Sequence, residues 1–333
     1  MKESMTEDDV RAAMAGVSLS NKKKDGKGYQ AYEDALKQEI KDQDGKFIKA
    51  TPFYKKGVKS PAGYVIETDK ETMVSYHGTQ FGKFFGSGGR EVFHDMQMQK
   101  SKMKLGDQEC GVHAGFKKEY DNSRDDLYRV LQEVKGNPAK PVVFSGHSLG
   151  GAVANIAALD ASANNKLPNG QTVGGVVTFG APRVLSKEAA QVYNNQGLAD
   201  KTLRVKQGWD VVPRIPSESL GYAHVGKKVK LDAGMNAVHS GKVYRKMSKS
   251  MSSGTVSEAR DSRPINLESC SIRSYAFAMA ETVKGTLLKG VSMVSKVMNS
   301  LRGNSTTETH AANQVASTSG LANNKSQSTQ RGA

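Results

Sequence analysis

The chain has 333 residues, a formal net charge of +15 and a hydrophobic share of 37%. This length accommodates one large α/β domain with appendages, and the low hydrophobic share predicts that part of the chain lies outside any packed core. The positive charge favours a polyanionic partner, either anionic lipid or nucleic acid. We do not expect nucleic acid, because zinc-type Cys/His spacing, RNP-like aromatic strands and recognition-type basic helices are missing from the sequence.

In chain order, the residue patterns predict alternating strands and helices. They predict a helix at 29–41, a hairpin at 63–76, a loop with exposed apolar residues at 80–111, a helix at 118–134, a strand at 141–145, a helix at 151–163, and strands at 173–179, 203–205 and 225–231. This alternation indicates an α/β protein with a mainly parallel central sheet and helices on both faces.

Composition divides the chain into four parts. Residues 1–60 are dense in Lys, Asp and Glu and predict a solvated, partly helical cap, whereas 61–248 carry the core elements. A basic linker and an amphipathic helix are predicted over 249–302, and a disordered polar tail over 303–333. The helix at 275–301 is predicted to bind anionic lipid, with packing on the core as the alternative.

Cysteine content and the start of the chain bear on location. Cys110 and Cys270 are the only cysteines, which is too few for the disulfide framework of a small secreted domain. The first ten residues have no apolar core of a signal peptide, and no stretch approaches the roughly 18 apolar residues that span a bilayer. We expect a cytoplasmic protein, or one exported without an N-terminal signal peptide, such as a secretion-system effector. The sequence does not indicate an oligomeric state.

The strongest motif is GHSLGG at 146–151, which follows a predicted strand and precedes an Ala-rich helix. A G-x-S-x-G pattern in this setting is typical of the nucleophile turn of the α/β-hydrolase fold, so Ser148 is the candidate nucleophile. The flanking glycines let strand and helix approach each other. Leu149 is expected to offer its backbone N–H to a developing oxyanion at the helix N-terminus. A chance match is the alternative.

A second oxyanion donor is expected after an earlier strand. The strand at 73–76 ends in Gly78 and Thr79, so the Thr79 N–H is the candidate, with an ordinary strand-end turn as the alternative. Asp210 follows a strand and is the candidate acid that would orient a catalytic imidazole. A helix-cap or turn aspartate is the alternative there.

Two histidines follow Asp210 in the sequence. His239 lies after the predicted last strand, where this fold carries its base. His224 lies before that strand, and we expect it to be a packed or hydrogen-bonded structural histidine.

Together these residues resemble the class 3 lipases. The matching segments are 74–79 (VSYHGT), 112–116 (VHAGF), 146–152 (GHSLGGA), 178–184 (TFGAPRV), 210–216 (DVVPRIP), 222–226 (YAHVG) and 239–240 (HS). The resemblance implies the α/β-hydrolase fold and hydrolysis of lipid carboxylic esters by a Ser148–Asp210–His239 triad, without a metal or organic cofactor. The sequence departs from the family at His77, where members usually carry Arg.

The resemblance also implies a mobile lid after the oxyanion strand. Phe81, Phe84 and Phe85 lie among glycines that would supply hinge freedom; a plain surface loop is the alternative. The expected function is that of a lipase or a phospholipase A1, with a lipid or phospholipid substrate and peripheral contact with an anionic membrane. An acyltransferase with the same triad and a non-catalytic membrane- or partner-binding protein remain alternatives.

Overall fold

The computed structural model describes residues 5–23, 26–78, 99–134, 140–207, 210, 212–231, 239 and 241–248. The chain divides into two units, 1–260 and 261–333, of which the second lies outside the described residues. Thr79, the predicted lid phenylalanines, the predicted helix at 275–301 and the polar tail also lie outside them, so these expectations stay predictions.

The described residues form six α-helices, four short 3-10 helices and eleven strands. The helices are α1 (Glu7–Ser20), α2 (Tyr29–Asp42), α3 (Ala114–Glu133), α4 (Leu149–Ala163), α5 (Lys187–Asn195) and α6 (Gly241–Ser248). The strands are β1 (Phe47–Tyr54), β2 (Pro61–Thr68), β3 (Thr72–Tyr76), β4 (Lys100–Leu105), β5 (Gln108–His113), β6 (Val142–His147), β7 (Val173–Phe179), β8 (Leu185–Ser186), β9 (Thr202–Gln207), β10 (Tyr222–Ala223) and β11 (Lys227–Leu231).

Seven strands form the main sheet, in the order β1-β2-β3-β6-β7-β9-β11. The five strands from β3 to β11 run parallel, and β1 and β2 are antiparallel additions at one edge. A smaller antiparallel sheet contains β10, β8, β5 and β4. Strand β6 lies in the middle of the main sheet and is buried along its whole length, which explains its continuous apolar start.

Helices cover both faces of the main sheet, as the alternation of elements predicts. Helices α3, α4 and α5 share one hydrophobic cluster with inward-facing residues of β2, β3, β6 and β7. Helices α1 and α6 pack with the opposite side chains of β6, β7, β9 and β11, and α2 packs with α1 over β2 and β3. The carboxyl ends of the parallel strands meet at one edge, which is where ligands bind in open α/β sheets.

The expectation of a solvated cap over residues 1–60 is wrong for α1. Val10, Met14 and Val17 of this helix are buried in the sheet-facing cluster, together with Val143. Small residues fill the rest of its inner face: a Cβ added to Gly16 would lie 2.6 Å from Ser75 Oγ. The flanking charged residues lower the average hydropathy and conceal this short apolar stripe.

The loop predicted for 80–111 is wrong for the residues from 100 onwards, which form strands. Strands β4 and β5 form an antiparallel hairpin that turns at Gly106, where φ is +61°. Met103 and Leu105 are buried while Lys102 and Lys104 are exposed, which is the alternation of a half-buried strand. The high lysine content made this alternation hard to recognise. In the described ranges no helix is long and apolar enough to cross a membrane.

Candidate active site

Ser148 occupies the turn between β6 and α4. Its backbone has φ +57° and ψ −123°, a region that costs a non-glycine residue about 1–3 kcal/mol and persists only where the surroundings impose it. The Ser148 N–H donates to the carbonyl of Phe179 at the end of β7, at 2.8 Å. The serine is therefore held at the carboxyl edge of the sheet, in the strand–turn–helix setting that the motif predicts.

The glycines of the motif are required by close contacts. A Cβ on Gly146 would lie 2.2 Å from the carbonyl carbon and oxygen of Gly150, and one on Gly150 would lie 2.8 Å from the carbonyl oxygens of Tyr76 and His77. Real Cβ atoms do not approach backbone this closely, so only glycine lets α4 begin against the ends of β3 and β6.

Helix α4 begins at Leu149 and presents its N-terminus beside Ser148. The first amide groups of a helix have no acceptor within the helix and carry the positive end of its dipole, which is the environment predicted for the Leu149 N–H as an oxyanion donor. Strand β3 pairs with β6 as far as Tyr76 opposite Gly146. The chain then continues to Gly78, whose added Cβ would lie 2.8 Å from the His147 carbonyl oxygen, so the last described residue before Thr79 lies beside the turn.

Asp210 follows β9 and is buried, with 1% of its surface exposed. Its Oδ1 accepts the Val212 N–H at 3.0 Å. Its Oδ2 accepts two further hydrogen bonds, from His239 Nδ1 at 2.7 Å and from the Tyr244 hydroxyl at 2.6 Å. Three donors thus fix both oxygens of the predicted acid.

His239 lies after β11 and before α6, and its side chain is 8% exposed. Because Nδ1 donates to Asp210, the neutral ring carries its lone pair on Nε2, the atom that a general base uses. The structure therefore brings two of the predicted residues, Asp210 and His239, into direct contact.

The ring of His147, the residue before the serine, stacks on His239 with 4.9 Å between centroids and 25° between planes. Burial, together with the neighbouring His239, lowers the pKa of His147 to about 3. His147 is thus neutral at physiological pH and adds no positive charge beside the base. This contact was not foreseen, although His147 lies inside the motif.

Gly180 completes the packing around the acid and the base. It follows β7 with φ +58°, and an added Cβ would lie 2.8 Å from Asp210 Oδ2, 2.9 Å from the Tyr244 hydroxyl oxygen and 3.1 Å from His239 Cε1. The site therefore requires glycine here both for backbone conformation and for space.

His224 has a different environment. Its Nε2 donates to the Pro213 carbonyl at 2.6 Å. Burial, with Arg204 and Arg183 nearby, holds the pKa of His224 well below its usual value. This hydrogen bond to the backbone is the structural role that the sequence predicts for His224.

His77, at the position of the family's usual Arg, is partly buried and donates its backbone N–H to the Ala62 carbonyl at 2.8 Å. Burial and the nearby Lys55 lower the pKa of His77 to about 4, so the side chain is neutral near pH 7. Within the described part of the chain, no group of three His, Cys, Asp or Glu side chains could hold a metal ion.

Comparison with known proteins bears directly on this arrangement. The model of the family described as lipase (class 3) matches residues 73–220. Over this region, which is less than half of the chain, the protein is similar to the class 3 lipases. The matched region contains Ser148 and Asp210 and ends before His239, so the position of the base depends on the contacts described above.

Several lipases are similar to this chain. A lipase from Rhizopus niveus is 29% identical over 182 residues, which cover 53% of this chain and 43% of that protein. Phospholipase A1-II 5 from Oryza sativa subsp. indica is 31% identical over 118 residues, which cover 34% of this chain and 25% of that protein. The match thus spans less than half the length of these relatives.

Among solved structures, lipase II from Rhizopus niveus matches with a TM-score of 0.52 at 25% identity, over 68% of this chain and 80% of that one. With the mainly parallel sheet and its helices, this similarity confirms the α/β-hydrolase fold expected from the sequence.

Proposed function

We propose that this chain hydrolyses carboxylic esters of lipids, with Ser148 as nucleophile, His239 as general base and Asp210 as the acid that orients it. The observation that carries the proposal is the hydrogen bond between His239 and the buried Asp210 at the sheet edge that also carries Ser148.

Contacts to the neighbours of Ser148 support this assignment. The ring of His147, next to Ser148 in the chain, stacks on His239. Phe179 accepts the Ser148 N–H, and the following residue, Gly180, lies against both Asp210 and His239. The nucleophile, base and acid of the proposal are therefore connected through short packing contacts.

The reaction takes two steps. Ser148 Oγ forms a bond to the ester carbonyl carbon as its proton passes to His239 Nε2, and the Leu149 and Thr79 N–H groups stabilise the oxyanion. His239 then gives this proton to the leaving alcohol. In the second step His239 takes a proton from water, which attacks the acyl-enzyme, and Ser148 leaves with that proton as the carboxylic acid departs.

The family favours a lipid ester as substrate, and relatives named as lipase and as phospholipase A1 support both neutral and phosphate-bearing lipids. The net charge of +15 favours phospholipids, since a basic protein concentrates at anionic lipid surfaces.

Hydrolysis of p-nitrophenyl butyrate by the full chain tests the proposal, with the Ser148→Ala protein as the control. We expect turnover with the wild-type protein and a loss of at least about 10⁴-fold in the variant. Mass spectrometry of products from mixed lipid vesicles then identifies the head group and separates free fatty acid from acyl transfer. Equal inactivity of the two proteins towards the ester and the vesicles would refute the proposed function.

A further inference from the structure

Strands β9 and β11 carry four basic side chains on the same face of the main sheet. In the parallel register Arg204 lies opposite Lys228, and Lys206 lies opposite Lys230. The alternate residues of both strands, among them Val205 and Val229, are buried in the cluster that contains α1. Because successive side chains of a strand point to opposite faces, the basic residues share the other face. We call Arg204, Lys206, Lys228 and Lys230 the cationic face.

The positive charges of this face crowd one another. Lys206 is partly buried; burial, together with Arg214, Lys228 and Arg204, lowers the pKa of its ammonium group to about 8, although the nearby Asp210 carboxylate acts in the opposite direction. Across the described ranges, no carboxylate lies within ion-pair distance of Lys206, Arg214 or Lys230. The Arg214 Nε is buried and has no hydrogen-bond partner in those ranges.

Neighbouring cations on one face produce a local field that attracts anions. Lysine and arginine groups held a strand spacing apart suit phosphate groups in particular. Charge complementarity therefore indicates a phosphate-bearing partner for the cationic face.

The position of the face relates it to the active site. Lys206 is the second-last residue of β9 and precedes Asp210 by four positions, and Lys230 is the second-last residue of β11. Both lysines thus lie towards the carboxyl edge of the sheet, where Ser148 and Asp210 also lie. An anionic surface that contacts these lysines would be next to the edge that carries Ser148 and Asp210.

We propose that the cationic face binds the phosphate groups of an anionic phospholipid surface and holds the carboxyl edge of the sheet against it. This proposal rests on the proposed function for one point, namely that the partner is a lipid surface. A phospholipid surface fits better than nucleic acid, because the face adjoins the site to which we assign the hydrolysis of lipid esters.

Vesicle co-sedimentation of the full chain tests the proposal. All proteins carry Ser148→Ala, so that binding is measured without hydrolysis. The test variant adds Lys206→Gln and Lys230→Gln. The matched control adds Lys102→Gln and Lys104→Gln, which remove the same charge from alternate exposed positions of β4. Vesicles contain phosphatidylcholine alone or with phosphatidylglycerol, and thermal unfolding shows that each protein is folded.

We expect the test variant to bind the phosphatidylglycerol vesicles about twenty-five-fold more weakly, since each of the two lysines near an anionic surface contributes roughly five-fold. The control should lose much less, and a Lys206→Arg, Lys230→Arg protein should retain binding. Equal losses in test and control variants, or no vesicle binding by the parent protein, would overturn the proposal.

Two further measurements distinguish a lipid surface from the other sources of phosphate, which are free inorganic phosphate and DNA. Inorganic phosphate at millimolar concentration should not displace the protein from vesicles, and the test substitutions should not selectively weaken binding to duplex DNA. Displacement by phosphate would indicate a small-anion site, and a DNA-specific loss would indicate nucleic acid; either result refutes the membrane proposal. Ester hydrolysis by the wild-type protein is measured separately, so failure of this proposal is distinct from failure of the proposed function.

Discussion

The Tyr244 hydroxyl donates to Asp210 Oδ2 at 2.6 Å, the same oxygen that accepts His239 Nδ1. Tyr244 is fully buried on α6, and its oxygen also accepts the Gln207 N–H at 3.2 Å. The tyrosine thus connects the carboxylate of the proposed triad to the end of β9. It positions Asp210 without reaching the reacting atoms.

Tyr244→Phe should lower kcat by about ten-fold and destabilise the fold by about 1–3 kcal/mol, because a hydrogen bond to a buried carboxylate is lost. Steady-state kinetics and urea unfolding measure the two effects. Tyr193→Phe is the control: Tyr193 is also fully buried and its hydroxyl bonds to Thr202 Oγ1 at 2.6 Å, away from the site. It should lose stability and keep its kcat. A Tyr244→Phe protein with unchanged kcat would contradict the positioning role.

Gly180→Ala should abolish most ester hydrolysis, because its Cβ would push against Asp210, Tyr244 and His239. Gly197→Ala is the matched control, since Gly197 has φ +67° and no atom within 4 Å of an added Cβ. Both substitutions should cost about 1 kcal/mol for the left-handed backbone, but only Gly180→Ala should reduce turnover. Similar activity in the two folded variants would show that the space around the acid and base is not critical.

His239→Ala should reduce turnover of the soluble ester by about 10⁴-fold or more, since triad members act as a unit. His224→Ala should instead reduce stability and leave at least a modest fraction of the rate, because its ring bonds to the Pro213 carbonyl. Kinetics of both variants, with circular dichroism to check folding, decide the assignment. Loss of activity in a folded His224→Ala protein, with near-normal turnover in His239→Ala, would require the base to be reassigned.

Buried neutral histidines should make the fold sensitive to acid. The pKa of His77 is lowered to about 4, whereas an unfolded histidine titrates near 6.5. Below pH 6.5 the unfolded chain takes up a proton that folded His77 does not, so the free energy of unfolding falls as the pH falls towards 4. At pH 5 the titration of His77 lowers the free energy of unfolding by about 2 kcal/mol.

Urea unfolding at pH 7 and pH 5 measures this effect. The His77→Gln protein should lose about 2 kcal/mol less than wild type between these two pH values. An identical loss in both proteins would show that His77 does not contribute to the acid sensitivity.

The sequence predicts those parts of the molecule that depend on local patterns. The turn at Ser148 is identified by the six-residue motif at 146–151, together with the strand before it and the helix after it. The order of Asp210 and His239 along the chain also predicts their candidate roles, and the structure places the two side chains in contact.

Other contacts depend on residues that are distant in sequence. Helix α1 is buried because β6, β9 and β11 come together beneath it, and its charged flanks give no sign of this. Tyr244 on α6 contacts Asp210, and His147 at the end of β6 stacks on His239, so each contact joins residues from separate elements.

The central claim is that Ser148 is a nucleophile activated by the Asp210–His239 pair, and covalent labelling tests it most directly. A p-nitrophenyl alkylphosphonate reacts with an activated serine by forming a Ser Oγ–phosphorus bond and releasing p-nitrophenolate, so release and adduct mass can be compared. We predict one equivalent of p-nitrophenolate per chain and, in peptide mass spectrometry, an adduct on Ser148 that is absent from Ser148→Ala and forms far more slowly in His239→Ala. An unlabelled folded protein, or an adduct on another residue, would contradict the account.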